Sequence, residues 1–264
     1  MPCCKLVSRL KIFSILVSTA LASVAITLSV RQFVSQDTFG PDSDILGNYL
    51  QVIGSIYAFV IAFVIFVVWS QYTRTEEVVD QEVGKLKALM LLCDCSEDAA
   101  MRHKLHAKIT DYAEAVVREV EANTDHRRTF GVAEYEWQEL ARSLHSINAT
   151  LPRELVVYED LLRTLSSLST VRDQRLTVTS TRIPWVLWDL ILFITTLTIL
   201  PFCFLPVQSL FVDVVMVASM AASLAFILLL IRDLDNPFRG VFNVSFAPYR
   251  ELLKKREGPI SATL

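Results

Sequence analysis

Four long apolar runs constrain this chain more than any other feature. They are Ile12–Val30, Ile45–Trp69, Ile183–Leu210 and Phe211–Ile231. The first two carry no charged residue, and the last two carry only Asp189 and Asp213. A helix needs roughly 20 residues to cross the ~30 Å apolar core of a bilayer, and every run is long enough. Because a core helix of a soluble protein would carry charges along its solvent face, the runs predict four transmembrane helices.

The first run also has features of a signal peptide. Three basic residues precede it, and Ala20–Ala22 within it fits a small-residue cleavage site. The apolar run continues past that point to Val30, which a cleaved peptide does not need. We expect a retained helix, and the alternative is a mature chain that begins near Ser23.

The positions of lysine and arginine predict the orientation of the chain in the membrane. These residues collect on the cytoplasmic side of transmembrane helices. Here they flank the N-terminal side of the first run, the end of the second, the start of the third and the end of the fourth, and Arg31 is the exception. We therefore expect a multi-pass protein of the plasma or bacterial inner membrane, with both termini cytoplasmic and two short outer loops.

The region between the second and third runs has helical periodicity. The second run is expected to continue as a helix over Gln71–Leu92, a second helix to reach about Ala122, a third to cover about 133–147 and a fourth to begin at Pro152. No strand-like alternation of useful length is present. The predicted fold class is all-α: an integral membrane protein with four transmembrane helices and a helical cytoplasmic bundle inserted between helices 2 and 3.

The predicted domain organisation follows from these segments. Residues 1–70 hold transmembrane helices 1 and 2 with a short outer loop, and residues 71–182 form the cytoplasmic helical domain. Residues 183–232 hold transmembrane helices 3 and 4, and residues 233–264 form a cytoplasmic tail.

Most classes of active site find no support in the sequence. No nucleophile, phosphate-binding or dinucleotide-binding motif is present, so we expect no enzyme activity and no cofactor. Cys93 and Cys95 with His103 and His106 offer zinc ligand types, but their spacing is not that of a common zinc site, and no metal is expected. With a net charge of −3, the chain has no overall positive electrostatic potential that would attract nucleic acid.

Two aspartates lie within the last two runs. An ionisable residue inside a membrane is by default a candidate functional group. Asp189 lies close to Pro184, and Asp213 lies close to the short outer turn. We therefore expect both carboxylates to reach the membrane interface and to be solvated.

The second run carries a stripe of polar and small residues. Its members recur at steps of three and four, which places them on one face of a helix: Asn48, Gln51, Ser55, Ala58 and Ala62. Amide side chains are costly to expose to lipid, so the stripe must face protein or water. Close helix packing is one interpretation. The other is a pore lining, polar at the outer mouth and apolar where it narrows.

The stretch after the fourth run carries a family resemblance. "DLDNPFRGVFNVSFAPYREL" (Asp233–Leu252) resembles the signature of the bestrophin-like integral membrane family, a group without assigned activity. "RDQRLTVTSTRIPWVLW" (Arg172–Trp188) and "SQYTRTEEVVDQEVGKLKAL" (Ser70–Leu89) are similar to it too. Bestrophins proper also carry an Asn-Pro-Phe after their last membrane helix, which matches Asn236-Pro237-Phe238 here.

The resemblance implies a plan and a function. Bestrophins have four spans, inside termini and a helical domain between spans 2 and 3, and they form pentameric ion channels whose second helix lines the pore. The chain lacks the run of acids that follows Asn-Pro-Phe in calcium-gated animal bestrophins, so calcium activation does not carry over. We expect a homo-oligomer in a lipid bilayer that conducts small ions. The alternative is a non-conducting sensor or scaffold whose cytoplasmic helical domain binds protein partners.

The charged residues at the end of the fourth run are interpreted as a structural clasp. Pro237 prevents the helix from continuing unbroken. The acids here can pair with Arg239 or with basic residues before the third run, which would hold the tail against the cytoplasmic domain. The predicted clasp comprises Arg232, Asp233, Asp235, Asn236, Pro237, Phe238 and Arg239.

Overall fold

The computed structural model describes residues 2–33, 43–96, 98–124, 131–147, 152–202, 207, 209–236 and 244–257. These residues form eight α-helices and no strand. The helices are α1 (Pro2–Phe33), α2 (Ser43–Asp94), α3 (Ala99–Thr124), α4 (Val132–His145), α5 (Pro152–Ser180), α6 (Trp185–Phe202), α7 (Leu210–Leu234) and α8 (Ala247–Glu257). The all-α prediction is confirmed.

Four of the helices are long and apolar enough to cross a membrane. They contain the segments Ile12–Phe33, Asp44–Asp94, Trp185–Phe202 and Leu210–Leu234. The second of these belongs to α2, a single helix of 52 residues. At 1.5 Å per residue α2 is ~78 Å long, well over twice the thickness of the bilayer core. The expected continuation of the second membrane helix into the polar middle region is therefore confirmed.

The chain divides into two compact units. The first, here called the membrane unit, comprises Met1–Tyr72 and Arg182–Asn243. The second, here called the helical unit, comprises Thr73–Thr181 and Val244–Leu264. The helix α2 contributes residues to both units.

The membrane unit has an apolar core built from three of its helices. α2 contributes Tyr57, Ile61, Val64 and Val68 at steps of four, three and four, which is one helical face. Residues of α6 and α7, among them Ile191 and Leu224, complete this core. α1 packs against α7, and its buried side chains include the small residues Ser23 and Thr27. Small residues let membrane helices approach closely.

The helical unit is held together by the apolar faces of its helices. The helical spacing of the apolar residues after the second run predicts one buried face for this part of α2. This is confirmed, since Val78, Val79, Val83, Leu86 and Leu89 are all buried. Leu105 and Ile109 of α3, Leu140 and Leu144 of α4, and Leu161 and Leu168 of α5 are also fully or almost fully buried. Each recurs at a step of four or seven within its own helix.

Two helix starts have a local chemical cause. α4 begins after Gly131, whose φ of 106° lies in the left-handed region that glycine adopts without steric cost. α5 begins at Pro152, and proline is tolerated there because the first-turn N–H has no helical partner. The spacing of the leucines predicts that Leu155 lies on the same buried face of α5 as Leu165 and Leu168. This is wrong, since the Leu155 side chain is 45% exposed.

Candidate functional site

The polar and small stripe of α2 lies on an exposed face of the chain. Asn48, Gln51, Ser55, Ala58 and Ala62 are all exposed. The buried face of α2, which runs through Tyr57 and Ile61, points in another direction around the helix axis. The stripe is therefore not packed against the other helices that the structure describes. Its amide groups require water or another protein surface as their surroundings.

A second exposed face adjoins the stripe. It consists of bulky apolar residues, each directly after or close to a stripe residue: Val52, Ile56, Phe59, Phe63 and Phe66. One residue turns an α-helix by about 100°, so this apolar ridge lies about 100° around the axis from the stripe. At Phe59 and Phe63 the ridge flanks Ala58 and Ala62. The open side of α2 thus changes from amide and hydroxyl groups near its start to small and aromatic groups further along.

A buried ion pair joins α1 to α7. Arg31 Nε lies 2.8 Å from Asp213 Oδ2, and the Asp213 side chain is only 3% exposed. The Arg31 guanidinium also donates to the Val207 carbonyl oxygen. The expectation that Asp213 is solvated is wrong. Its carboxylate is buried, and its charge is neutralised by Arg31, which is far away in the sequence but adjacent in the structure. This pairing also explains why Arg31 departs from the charge pattern of the other flanks. Asp189 is exposed, as expected.

The end of α7 contacts the start of α6 through polar groups. The Asp235 carboxylate accepts a hydrogen bond from the Ile183 backbone N–H at 2.8 Å. Arg182 donates to the Asp235 carbonyl oxygen at 2.8 Å and to Asn236 Oδ1 at 3.2 Å. A carboxylate at a helix N-terminus is favourable because the first N–H groups have no helical acceptor.

The predicted clasp residues thus join two membrane helices. Arg182, which precedes the third run, donates hydrogen bonds to a backbone carbonyl and a side-chain amide of the clasp. The sequence had instead suggested an ion pair between the acids of the clasp and a basic residue. Arg232 is exposed in the last turn of α7, and Asp233 is half-buried. The predicted members Pro237, Phe238 and Arg239 lie outside the described residues.

A carboxylate buried in the helical unit was missed by the sequence analysis. Glu82 of α2 is completely buried. Its Oε2 accepts a hydrogen bond from Arg175 Nε at 2.6 Å, and its Oε1 accepts one from the Tyr112 hydroxyl at 2.5 Å. Both oxygens are therefore satisfied by side chains of other helices, α5 and α3. The carboxylate lies within the apolar core that α2 contributes to this unit.

Tyr249 of α8 completes this group of four residues, here called the Glu82 cluster. Its side chain is fully buried, and its hydroxyl lies close to Glu82 but makes no hydrogen bond of normal geometry to a described residue. Burial raises the pKa of this hydroxyl, and the nearby Glu82 carboxylate raises it further. Four helices of the helical unit therefore converge on one carboxylate.

The surroundings of Arg175 and of the two tyrosines in the Glu82 cluster determine which of these side chains is charged. Burial raises the pKa of Tyr112, and the Glu82 charge raises it further. Burial by itself would lower the pKa of Arg175, but the Glu82 carboxylate and the two tyrosines together more than offset burial, and the pKa lies above its ordinary value. Arg175 is therefore a cation, and both tyrosines are neutral at physiological pH.

One sequence signal could have revealed this cluster. Glu82, Arg175 and Tyr249 each come from a different one of the three stretches that carry the family resemblance. These stretches are far apart in the chain, and only their folding brings the residues together. Helical periodicity alone could not find them, because Glu82 falls on a face otherwise occupied by valine and leucine.

The cysteine and histidine residues considered as zinc ligands do not form a site. Cys93 is buried, Cys95 is exposed, and His106 Nε2 lies 3.1 Å from Asp94 Oδ1. Within the part of the chain that the structure describes, no three histidine, cysteine or acidic side chains are placed to hold a metal ion.

A sequence comparison and a structure comparison relate this chain to known proteins. A family model described as a bestrophin-like domain matches residues 17–249. A crystal structure of a bacterial bestrophin homolog from Klebsiella pneumoniae, carrying a point mutation, matches with a TM-score of 0.71 at 11% identity, over 92% of this chain and 99% of that one.

Two further solved structures give similar values. A second mutant of the Klebsiella pneumoniae homolog has a TM-score of 0.71 at 12% identity, over 94% and 98% of the two chains. A structure described as a membrane protein has a TM-score of 0.68 at 13% identity, over 92% and 98%. At these identities the likeness concerns the fold. No match was found among curated proteins.

Proposed function

The chain belongs to the bestrophin-like family of multi-pass membrane proteins, and on that premise we propose that it is an ion channel. In this proposal several copies assemble around an axis in the membrane. The stripe of each α2 faces that axis and lines the pore. Asn48, Gln51 and Ser55 form the polar part of the lining, and Ala58 and Ala62 lie at the narrower, apolar part.

The observation that carries the proposal is the exposure of the stripe within a single chain. Asn48 and Gln51 bear amides that lipid cannot hydrogen-bond, so an exposed face of this kind requires water or another protein. A ring of copies supplies both, because each α2 then faces a shared aqueous path. The apolar ridge beside Ala58 and Ala62 suits a constriction, where dewetting can stop ion flow.

The proposed orientation places both termini and the helical unit in the cytoplasm of a cell with a plasma or bacterial inner membrane. The distribution of lysine and arginine around the spans supports it. Arg31 does not count against it, because its charge is paired with Asp213 inside the protein.

Planar-bilayer recording tests the channel directly. The purified protein is expected to conduct, and Ala62→Trp is expected to lower the single-channel conductance severalfold, because every copy would place an indole in the narrow part of the pore. Phe193→Trp is a suitable control, since this side chain is exposed and belongs to α6 rather than to the proposed pore helix, and it should leave conductance unchanged. A well-folded oligomer that never conducts, or equal conductance in wild type and Ala62→Trp, would contradict the proposal.

The number of copies separates the channel from a non-conducting scaffold. The resemblance to bestrophins favours five copies. Mass measurement of the detergent-solubilised protein is expected to give a pentamer of the 29.8 kDa chain. A monomer or a dimer would instead support the scaffold, because neither can enclose a pore with its α2 helices.

We further propose that the clasp at the end of α7 is a structural element and binds no calcium. Its Asp235 carboxylate already accepts a hydrogen bond from the Ile183 backbone N–H. Asp235→Ala is expected to weaken the assembly without preventing insertion, because the α6–α7 contact loses its capping acceptor. Detergent titration followed by size-exclusion chromatography measures this. An oligomer as stable as wild type, or a calcium-dependent change in its stability, would count against it.

A further inference from the structure

Two charged side chains at one end of the membrane unit have no partner among the described residues. Asp189 of α6 and Arg232 of α7 are both exposed, and neither side chain forms a hydrogen bond or an ion pair within the part of the chain that the structure describes. The other two arginines of this unit whose side chains are described are engaged, Arg31 with Asp213 and Arg182 with the clasp. An acid and a base are therefore left unpaired at this end.

Asp189 and Arg232 lie at nearly the same depth in the membrane unit. The clasp holds the start of α6 against the end of α7 through the hydrogen bond from the Ile183 N–H to Asp235. Asp189 comes four residues after the first residue of α6, and Arg232 comes two residues before the last residue of α7. At 1.5 Å per residue these positions are about 6 Å and about 3 Å from the joined helix ends. An arginine side chain is long enough to bridge the difference.

The surroundings of Asp189 are apolar. Trp185 and Val186 one turn before it and Phe193 one turn after it share its side of α6, and all three are exposed. The carboxylate therefore interrupts a strip of large apolar side chains on a helix that is long and apolar enough to cross a membrane. Acids in such helices usually pair with another charged group, because lipid cannot solvate them. A surface that covers this strip must therefore supply a cation at the level of Asp189.

We propose that copies of this chain bind one another at this end of the membrane unit, with Asp189 of one copy paired to Arg232 of its neighbour. The surface that covers the apolar strip of α6 is then the α7 surface of a second copy, and charge complementarity selects it. This inference rests on the assembly of several copies in the proposed function, and it names a contact that holds the assembly together.

The pairing makes the contact between copies head-to-tail. Each copy offers Asp189 on α6 to one neighbour and Arg232 on α7 to the other. A head-to-tail contact closes into a ring when the rotation between neighbours permits it, whereas a two-fold dimer uses both pairs at once and stops at two copies. A ring is the arrangement that places one α2 from every copy around a common axis.

Cross-linking between differently tagged chains tests the contact. One chain carries Asp189→Cys and the other carries Arg232→Cys, with the native cysteines replaced by alanine, and the two are produced together. A short bifunctional thiol reagent is used, because an arginine–aspartate pair holds the two backbones too far apart for a direct disulfide. It is expected to join the two tags covalently. The matched control replaces Arg232→Cys by Val215→Cys, which is exposed about 26 Å away along α7 and should give no such product.

Charge reversal tests the chemistry of the same contact. Asp189→Arg alone or Arg232→Asp alone places two like charges between neighbours, and each is expected to lower severalfold the fraction of detergent-solubilised protein that migrates as the oligomer. A chain with both substitutions has the pair in reversed polarity and is expected to recover most of the oligomer. The double variant is its own control, because it contains both changes and differs from the single variants only in charge complementarity.

The outcomes separate this inference from the channel proposal. An oligomer that conducts but gives no product between the two tags overturns the pairing and leaves the channel standing. With both cysteines in one chain, products larger than a dimer are expected, and covalent dimers alone would overturn the head-to-tail arrangement. A cross-linked ring that never conducts would support the contact and contradict the channel. A monomeric wild type would overturn both proposals.

Discussion

Replacing Arg31 with glutamine is expected to destabilise the protein by about 3–5 kcal/mol, because the variant leaves the Asp213 carboxylate buried without a counter-ion. The Asp213 side chain is 3% exposed and Oδ2 lies 2.8 Å from Arg31 Nε. Water cannot replace the lost partner at a site so well covered. The measurement is the unfolded fraction of detergent-solubilised protein across an SDS titration. Arg74→Gln, at an exposed position of α2, is the control and should change stability by less than about 1 kcal/mol.

Removing both charges tests the cause of that effect. Arg31→Leu together with Asp213→Leu is expected to recover most of the lost stability, since replacing a buried ion pair by apolar residues is often neutral or stabilising. Equal stability losses in Arg31→Gln and Arg74→Gln would contradict this expectation, because water would then have to reach the Asp213 carboxylate. If the double variant is as unstable as Arg31→Gln, the guanidinium matters for its bond to the Val207 carbonyl.

The Arg31–Asp213 pair also indicates where sequence reasoning stops. The apolar runs predicted the four spans because their signal is local: about twenty uncharged residues suffice. Helical spacing likewise predicted that α2 continues to Leu92, two residues before it ends at Asp94. The first-turn preference of proline predicted the start of α5 at Pro152. A pair between residues so far apart in sequence leaves no local pattern. The sequence offered a separate explanation for each residue: Arg31 was an exception to the charge pattern of the flanks, and Asp213 was an acid at the membrane interface. Neither explanation predicted the contact between them.

The stripe on α2 could be predicted from the sequence only in part. Spacing predicts which residues share a face, and in the structure Asn48 and Ala62 are both exposed. What the face meets depends on other copies of the chain, which intrachain spacing does not specify. For the clasp, Pro237 predicted that the helix does not continue unbroken past it, and α7 ends at Leu234 with Asp235 as its C-cap. The partner of that carboxylate, a backbone N–H at Ile183, could not be predicted because every residue except proline offers the same group.

Truncating Glu82 to alanine is the second change for which a large loss of stability is expected, about 3–5 kcal/mol in the helical unit. The variant leaves the Arg175 guanidinium, 9% exposed, without its carboxylate, and it also removes the acceptor of the Tyr112 hydroxyl. Hydrogen exchange of α3 and α5 in detergent-solubilised protein measures the effect locally. Glu82→Leu with Arg175→Met is expected to restore most of the protection, whereas protection unchanged in Glu82→Ala would mean that the cluster contributes nothing.

The two tyrosines provide the sharpest test of the cluster's geometry. Tyr112→Phe is expected to cost about 1–3 kcal/mol, because Glu82 Oε1 would be left buried without a donor. Tyr249→Phe is expected to be neutral within about 1 kcal/mol, or slightly stabilising, because its hydroxyl makes no hydrogen bond of normal geometry to a described residue. Both side chains are fully buried, so the size of the change is matched. Equal losses in the two variants would mean that Tyr249 also donates to the carboxylate, and the cluster would then bind α8 as tightly as it binds α3.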